Sequence, residues 1–112
     1  MKKIEAIIRP AKLGAVRAAI AEVGYGGITI TQVQGHGKQK GLQEQYRGIT
    51  YTVDLLPKTK IEVVVSDASV KKIVDAIISA ARTSAIGDGK IFVSNIEDAI
   101  TIRTGDTGDK AL

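Results

Sequence analysis

The chain has 112 residues, enough for one domain with a real core and too few for two of ordinary size. Of these, 44% are apolar and 25% charged, with no cysteine and no tryptophan. The core must therefore be aliphatic, and disulfides and thiolate metal sites are excluded.

Lys2 to Arg9 alternates, with Ile4, Ala6 and Ile8 on one face and Lys3, Glu5, Ile7 and Arg9 on the other. This pattern predicts a half-buried strand. Glu5 and Arg9 interrupt any apolar run behind Lys2-Lys3, so a signal peptide is not expected. No apolar run approaches the roughly 20 residues of a membrane span, and a cytoplasmic location is the expectation. Pro10 ends the strand and suits a helix start. Leu13, Val16, Ala19, Ile20 and Val23 then share one helical face, and Gly24 stops the helix. After Gly26-Gly27, residues Ile28 to Val33 read as a second strand.

The stretch Gly35 to Lys60 has no sustained apolar pattern before Val53 and holds three glycines within its first seven residues. It predicts a long, exposed working loop. Between Lys38 and Lys60 there are five positive residues (Lys38, Lys40, Arg47, Lys58, Lys60) against two negative (Glu44, Asp54), which places +3 of the net +4 there. That concentration favours an anionic ligand or partner. Nucleic acid is one candidate, although the stacking aromatics of single-strand binders are missing.

Lys58 to Val65 is β-branched and predicts a third strand. Ser66-Asp67 offers an N-cap. Val70, Ile73, Val74, Ile77, Ile78 and Ala81 then give the cleanest helical stripe in the chain. Gly87-Asp88-Gly89 breaks away from it into a fourth strand, Lys90 to Asn95. Ala99 to Arg103 predicts a brief last strand, and the polar tail 104–112 is expected to be mobile. The order β-α-β-β-α-β predicts a single α+β domain over residues 1–112, a ferredoxin-like sandwich with both helices on one face of the sheet. Ile7, Val33, Val64, Phe92 and Ile96 make the other face partly apolar, which predicts oligomerisation.

Gly87-Asp88-Gly89-Lys90 has the ingredients of a phosphate nest, although Gly-Asp-Gly is also a common tight turn. Gly35-His36-Gly37-Lys38 is a second glycine-basic stretch beside a strand, and the pair points to anion binding more strongly than either alone. Arg103 adds a guanidinium able to fork onto phosphate oxygens. His36 is the sole histidine and reads as structural or solvent-facing. No Ser/His/Asp set or carboxylate pair is discernible, so an enzyme has little support.

Several stretches together resemble the PII nitrogen-regulatory signal-transduction family. They are Lys2 to Pro10, Gly37 to Gly41, Tyr46 to Tyr51, Val53 to Lys58, Thr83 to Val93 and Ile102 to Gly105. The resemblance covers nearly the whole chain. It implies a homotrimer, with ATP or ADP competing for the clefts between subunits. Gly37, Lys38, Gly87, Asp88, Gly89, Lys90 and Arg103 would hold the phosphates, while Ile7, Thr29, Gly35 and Val64 would line the nucleoside pocket. It also implies 2-oxoglutarate beside Mg-ATP, with Gln39 as a metal ligand, Lys58 paired to a carboxylate, and Lys40 and Gly41 nearby. Residues of about 37–55 would form the family's T-loop, which engages an ammonium transporter or a nitrogen-metabolism enzyme. Tyr51 matches the tyrosine that a nucleotidylyltransferase modifies in many bacteria. The protein would be a cytoplasmic regulator, reversibly recruited to a membrane transporter, with no nucleic-acid partner.

Three departures stand out. Thr101 occupies the place of a second phosphate-binding arginine, at a cost on the order of 1.5–3 kcal/mol per charge-assisted contact. Lys38 replaces a more usual arginine, and Ile49-Thr50 replace small and acidic residues before Tyr51. The rival readings are a nucleotide-only paralogue, a small enzyme on a ferredoxin-like scaffold, and a nucleic-acid binder using the basic loop.

Overall fold

The alternation of Ile4, Ala6 and Ile8 places all three in the core, and β1 (Lys2–Ile8), which carries them, lies inside a four-stranded antiparallel sheet. The computed structural model describes residues 1–36, 42–46, 49–53 and 55–112, and of 42–46 and 49–53 only the backbone. After β1 come α1 (Leu13–Val23), β2 (Thr29–Gly35), β3 (Leu42–Tyr46), β4 (Ile49–Val53), β5 (Leu56–Val65), α2 (Val70–Ala81) and β6 (Lys90–Asn95). The main sheet runs β2-β5-β1-β6, the order that two interleaved β-α-β units produce. The expected ferredoxin-like α+β fold is the one observed.

Both helices cover one face. Val16 and Ile20 of α1 and Ile73, Ile77 and Ala81 of α2 meet Ile61, Val63 and Val65 of β5 together with the three β1 residues. Pro10 opens a 3-10 turn (Pro10–Lys12) ahead of α1, and Gly24, at φ +107°, closes the helix by donating to the carbonyls of Ala21 and Ile20. The expected cap at Ser66 is not made. Ser66 precedes a 3-10 turn (Asp67–Ser69), and no side chain caps that turn or α2. The Tyr25 hydroxyl instead donates to Ser69 Oγ at 2.9 Å.

Two further expectations are corrected. Part of the stretch read as patternless forms a hairpin, β3 against β4, with Leu42 opposite Val53 and Tyr46 opposite Ile49. The expected strand at 99–103 reduces to one bridge, Ile100 with Thr107, because the chain turns back at once. Gly105 N–H donates to the Thr101 carbonyl at 2.7 Å, and Asp98 Oδ1 accepts from the N–H groups of Ala99 and Gly108. The tail then ends in a 3-10 turn (Gly108–Ala111).

The face without helices is mixed in character. The strand register puts Ile7, Val33, Val64 and Phe92 on it, as expected, but interleaves them with Lys3, Glu5, Lys60 and Glu62. Glu5 stands directly opposite Glu62, and each carboxylate is paired with a lysine of its own strand. Lys3 reaches Glu5 at 2.8 Å and Lys60 reaches Glu62 at 3.0 Å.

Candidate functional site

In an antiparallel sheet the ends of β2 and β1 lie beside the starts of β5 and β6. That one edge of the sheet gathers Gly35, Leu56, Lys58, Ile7 and Lys90 around a cleft of about 670 Å³. The outer strands β2 and β6 are separated by two others, roughly 14 Å at normal strand spacing. Gly35 and His36, the described residues of the first glycine-basic stretch, therefore border the same cavity as Gly87 to Lys90 and face them across it.

The wall formed by residues 83–89 is held by one carboxylate. Asp88 accepts the Thr83 N–H at 2.7 Å, the Thr83 hydroxyl at 2.5 Å and the Ser84 N–H at 2.9 Å. It also accepts Arg9 Nε at 3.1 Å. The hydrogen bonds from Thr83, joined by those from Arg9 and Ser84, hold the Asp88 carboxyl well below the usual carboxylate range. Its charge is thus committed within the turn. What Asp88 contributes to the cleft is the shape of the Gly87 and Gly89 backbone, both in the left-handed region at φ +103° and +100°.

Lys58 crosses the floor. Its ammonium donates to the Gly87 carbonyl oxygen at 2.8 Å, and its stem passes close to Gly35, where an added β-carbon would meet Lys58 Cγ at 3.2 Å. Burial and the neighbouring Arg9 lower the Lys58 pKa, while Asp88 raises it. Lys90 supplies a second lysine on the rim, and Ile7, Leu56, Ile86 and Phe92 give apolar surface. Two ammonium groups, a glycine-rich wall and an apolar side suit a ligand with an anionic end and a flat apolar end.

The chain belongs to the nitrogen regulatory protein P-II family. The family model described as nitrogen regulatory protein P-II matches residues 1–106. The chain is 60% identical over 112 residues to the nitrogen regulatory protein P-II of Bradyrhizobium diazoefficiens, covering all of both chains. It is 57% identical, again over the whole of both chains, to the proteins of that name from Rhizobium meliloti and Rhodospirillum rubrum. The family is described by regulation and not by a reaction.

Of the residues that the P-II resemblance implies, the structure brings Ile7, Gly35, Gly87, Asp88, Gly89, Lys90 and Lys58 into one cleft. Thr29 and Val64 line a second cavity of about 520 Å³ on the same face, with Lys3, Glu62 and Tyr25. They lie six residues along their strands from Gly35 and Lys58, a distance of roughly 20 Å. Arg103 lines neither cavity. It sits in the turned segment after β6, next to a fully exposed Ile102. Gly37, Lys38, Gln39, Lys40 and Gly41 lie outside the described residues. Tyr51 lies on β4 in register with Glu44. Among the described residues no three metal-ligating side chains gather, and no helix is long and apolar enough to cross a membrane.

Arg9 is the residue that the sequence reading missed. The strand pattern assigned it only a face, whereas the structure bonds it to Asp88 and to the Ile86 carbonyl, two residues of the cleft wall. The available signal was an arginine immediately before the proline that ends the strand. His36, read as structural or solvent-facing, is exposed and lines the cleft.

Proposed function

We propose that this chain is a non-enzymatic P-II regulator that binds ATP or ADP, senses 2-oxoglutarate, and reports the result through the segment at about 37–55. The observation that carries the reading is the cleft itself, where Gly87 to Lys90 and Lys58 converge with Gly35 and Ile7. The glycine wall and Lys90 suit phosphates, while the apolar rim suits a nucleoside. Lys58 is placed to exchange the Gly87 carbonyl for an acid's carboxylate, a stronger acceptor for a cation. Magnesium, bound with Gln39 as the resemblance implies, would supply a hard cation for phosphate and keto-acid oxygens.

In this reading the working unit is a homotrimer. Arg103 lies outside its own chain's cleft and reaches the cleft of a neighbour, and Thr29 and Val64 belong to the nucleoside end of the same inter-subunit groove. Ligands favour different conformations of the segment around β3 and β4, and a partner selects among them. The partner is an ammonium transporter or a nitrogen-metabolism enzyme, and Tyr51 is the place for a nucleotidylyltransferase to act. The protein is then cytoplasmic, with reversible recruitment to a membrane transporter.

Titration calorimetry with ATP and ADP, with and without magnesium and 2-oxoglutarate, tests this. Binding of both nucleotides is expected, with 2-oxoglutarate taken up only alongside Mg-ATP. A protein that binds neither nucleotide would contradict the reading. Thr101 favours a second reading, a nucleotide-only regulator of another transporter or enzyme. It predicts nucleotide binding with no heat from 2-oxoglutarate under any condition.

A further inference from the structure

Two separate parts of the chain meet at Arg9. Pro10 holds Arg9 in extended backbone, at φ −64° and ψ 137°, just past the end of β1. From there the guanidinium spans the turn before β6 at two points. Nε donates to Asp88 Oδ1 at 3.1 Å, and Nη2 donates to the Ile86 carbonyl at 2.8 Å. The two anchor points flank Gly87, whose own carbonyl is held by Lys58. Gly89 is seated against the Ile7 carbonyl, so the end of β1 grips the turn from both sides. About three-quarters of both the Arg9 and Asp88 side chains is shielded from solvent, which strengthens the pair relative to a surface one.

An anionic residue on the wall of a phosphate site would repel its ligand if left uncompensated. Here the Asp88 charge is spent on the turn and balanced by Arg9. A lysine could supply the charge but not the fork that fixes residues 86 and 88 together.

We propose that Arg9 is a positioning residue for phosphate recognition, acting through Asp88 and the Ile86 carbonyl and setting the course of the Gly87–Lys90 main chain. The proposal rests on the nucleotide reading of this cleft. In it Arg9 makes no contact with phosphate itself, so its effect vanishes when the ligand has no phosphate and shrinks when Asp88 is already disabled, since only the Ile86 anchor is then left.

The test measures ATP, ADP and adenosine affinity by calorimetry or competition for the wild type, Arg9→Gln, Arg9→Lys, Asp88→Asn and the Arg9→Gln/Asp88→Asn double variant. Thermal melting shows which variants are folded, and Arg9→Lys supplies a milder change should Arg9→Gln fail to fold. Arg9→Gln is expected to weaken ATP and ADP by similar factors, about tenfold to a hundredfold. Adenosine affinity stays within about twofold. Arg9→Lys recovers part of the loss, and the loss in the double variant falls short of the sum of the two single losses. Unchanged ATP affinity in folded Arg9→Gln would overturn the proposal, as would an equal loss for adenosine. Fully additive losses in the double variant would also overturn it, since they mean Arg9 acts independently of Asp88. A wild type that binds no nucleotide removes the cleft reading and this inference with it. A wild type that binds while Arg9→Gln binds equally removes only the inference.

Discussion

Gly89 is packed so closely against Ile7 that a β-carbon on it would lie 1.7 Å from the Ile7 carbonyl oxygen. Its φ of +100° is also one that side chains disfavour. Gly89→Ala must therefore push β1 and β6 apart where they frame the cleft. A loss of about 3–5 kcal/mol in denaturant unfolding is expected, together with weakened nucleotide binding. Gly105 provides the contrast. It shares the positive φ, at +75°, but has nothing within 4 Å of an added β-carbon. Gly105→Ala should cost only about 1–2 kcal/mol, the conformational strain alone. Equal losses for the two would mean that the contact with Ile7 contributes nothing.

Asp88 makes the stability depend on pH in a defined direction. Its carboxyl is held below the ordinary value by hydrogen bonds from Thr83 first, then from Arg9 and Ser84. A carboxyl depressed in the folded state stabilises it fully above the unfolded value, about 3.9, and progressively less as pH falls from there toward the folded value. Unfolding curves for wild type and Asp88→Asn should therefore differ most above about pH 5 and converge as the solution is acidified. A stability gap that is constant from neutral pH into strong acid would show that the carboxylate charge is not what holds the turn.

What could be read from the chain follows from how local each signal is. The stripe Ile73, Ile77 and Ala81 is buried as its spacing predicts, and so are Ile4, Ala6 and Ile8, because a period of two or 3.6 residues is written within one element. The hairpin was also legible. Ile49-Thr50-Tyr51-Thr52-Val53 alternates and is β-branched, and it is separated from Leu42–Tyr46 by the two residues Arg47-Gly48, a hairpin spacing. The surrounding glycines and lysines mask that alternation. Arg9 was not legible in the same way. Its partners, Asp88 and Ile86, are 79 and 77 residues distant, and only the pairing of β1 with β6 brings them together. The segment 99–103 misled for the opposite reason. Its alternation is strand-like, but Asp98 and Gly105 turn the chain back before a neighbour can pair with more than Ile100.

Lys58 separates the two proposed ligands. Its ammonium holds the Gly87 carbonyl in the cleft floor, and its stem passes beside Gly35. Lys58→Met keeps the stem and removes the charge. The expected outcome is loss of 2-oxoglutarate binding beyond about tenfold, with ATP affinity in the absence of the acid changed by only a few-fold. Calorimetry in both backgrounds measures this. A variant that still takes up 2-oxoglutarate with wild-type affinity would remove Lys58 from the acid site.

Phe92 tests the proposed homotrimer. It stands on the face without helices, opposite Glu5 and about half exposed, beside Ile7 and within reach of the exposed Ile86. A large aromatic on a sheet face that also carries paired charges is suited to burial against another copy of the chain, where the Lys3–Glu5 and Lys60–Glu62 pairs keep their own partners. Sedimentation equilibrium of the wild type is expected to give three times the chain mass. Phe92→Glu would bury an unpaired carboxylate beside Glu5 in that assembly, at a cost of several kcal/mol per copy. Because the side chain is already solvent-accessible in the single chain, the fold itself should lose little. The variant should sediment as a monomer with wild-type helical content. Its nucleotide affinity should also fall if Arg103 reaches the cleft from a neighbour, and a monomer that binds ATP as well as the wild type would contradict that inter-subunit arrangement.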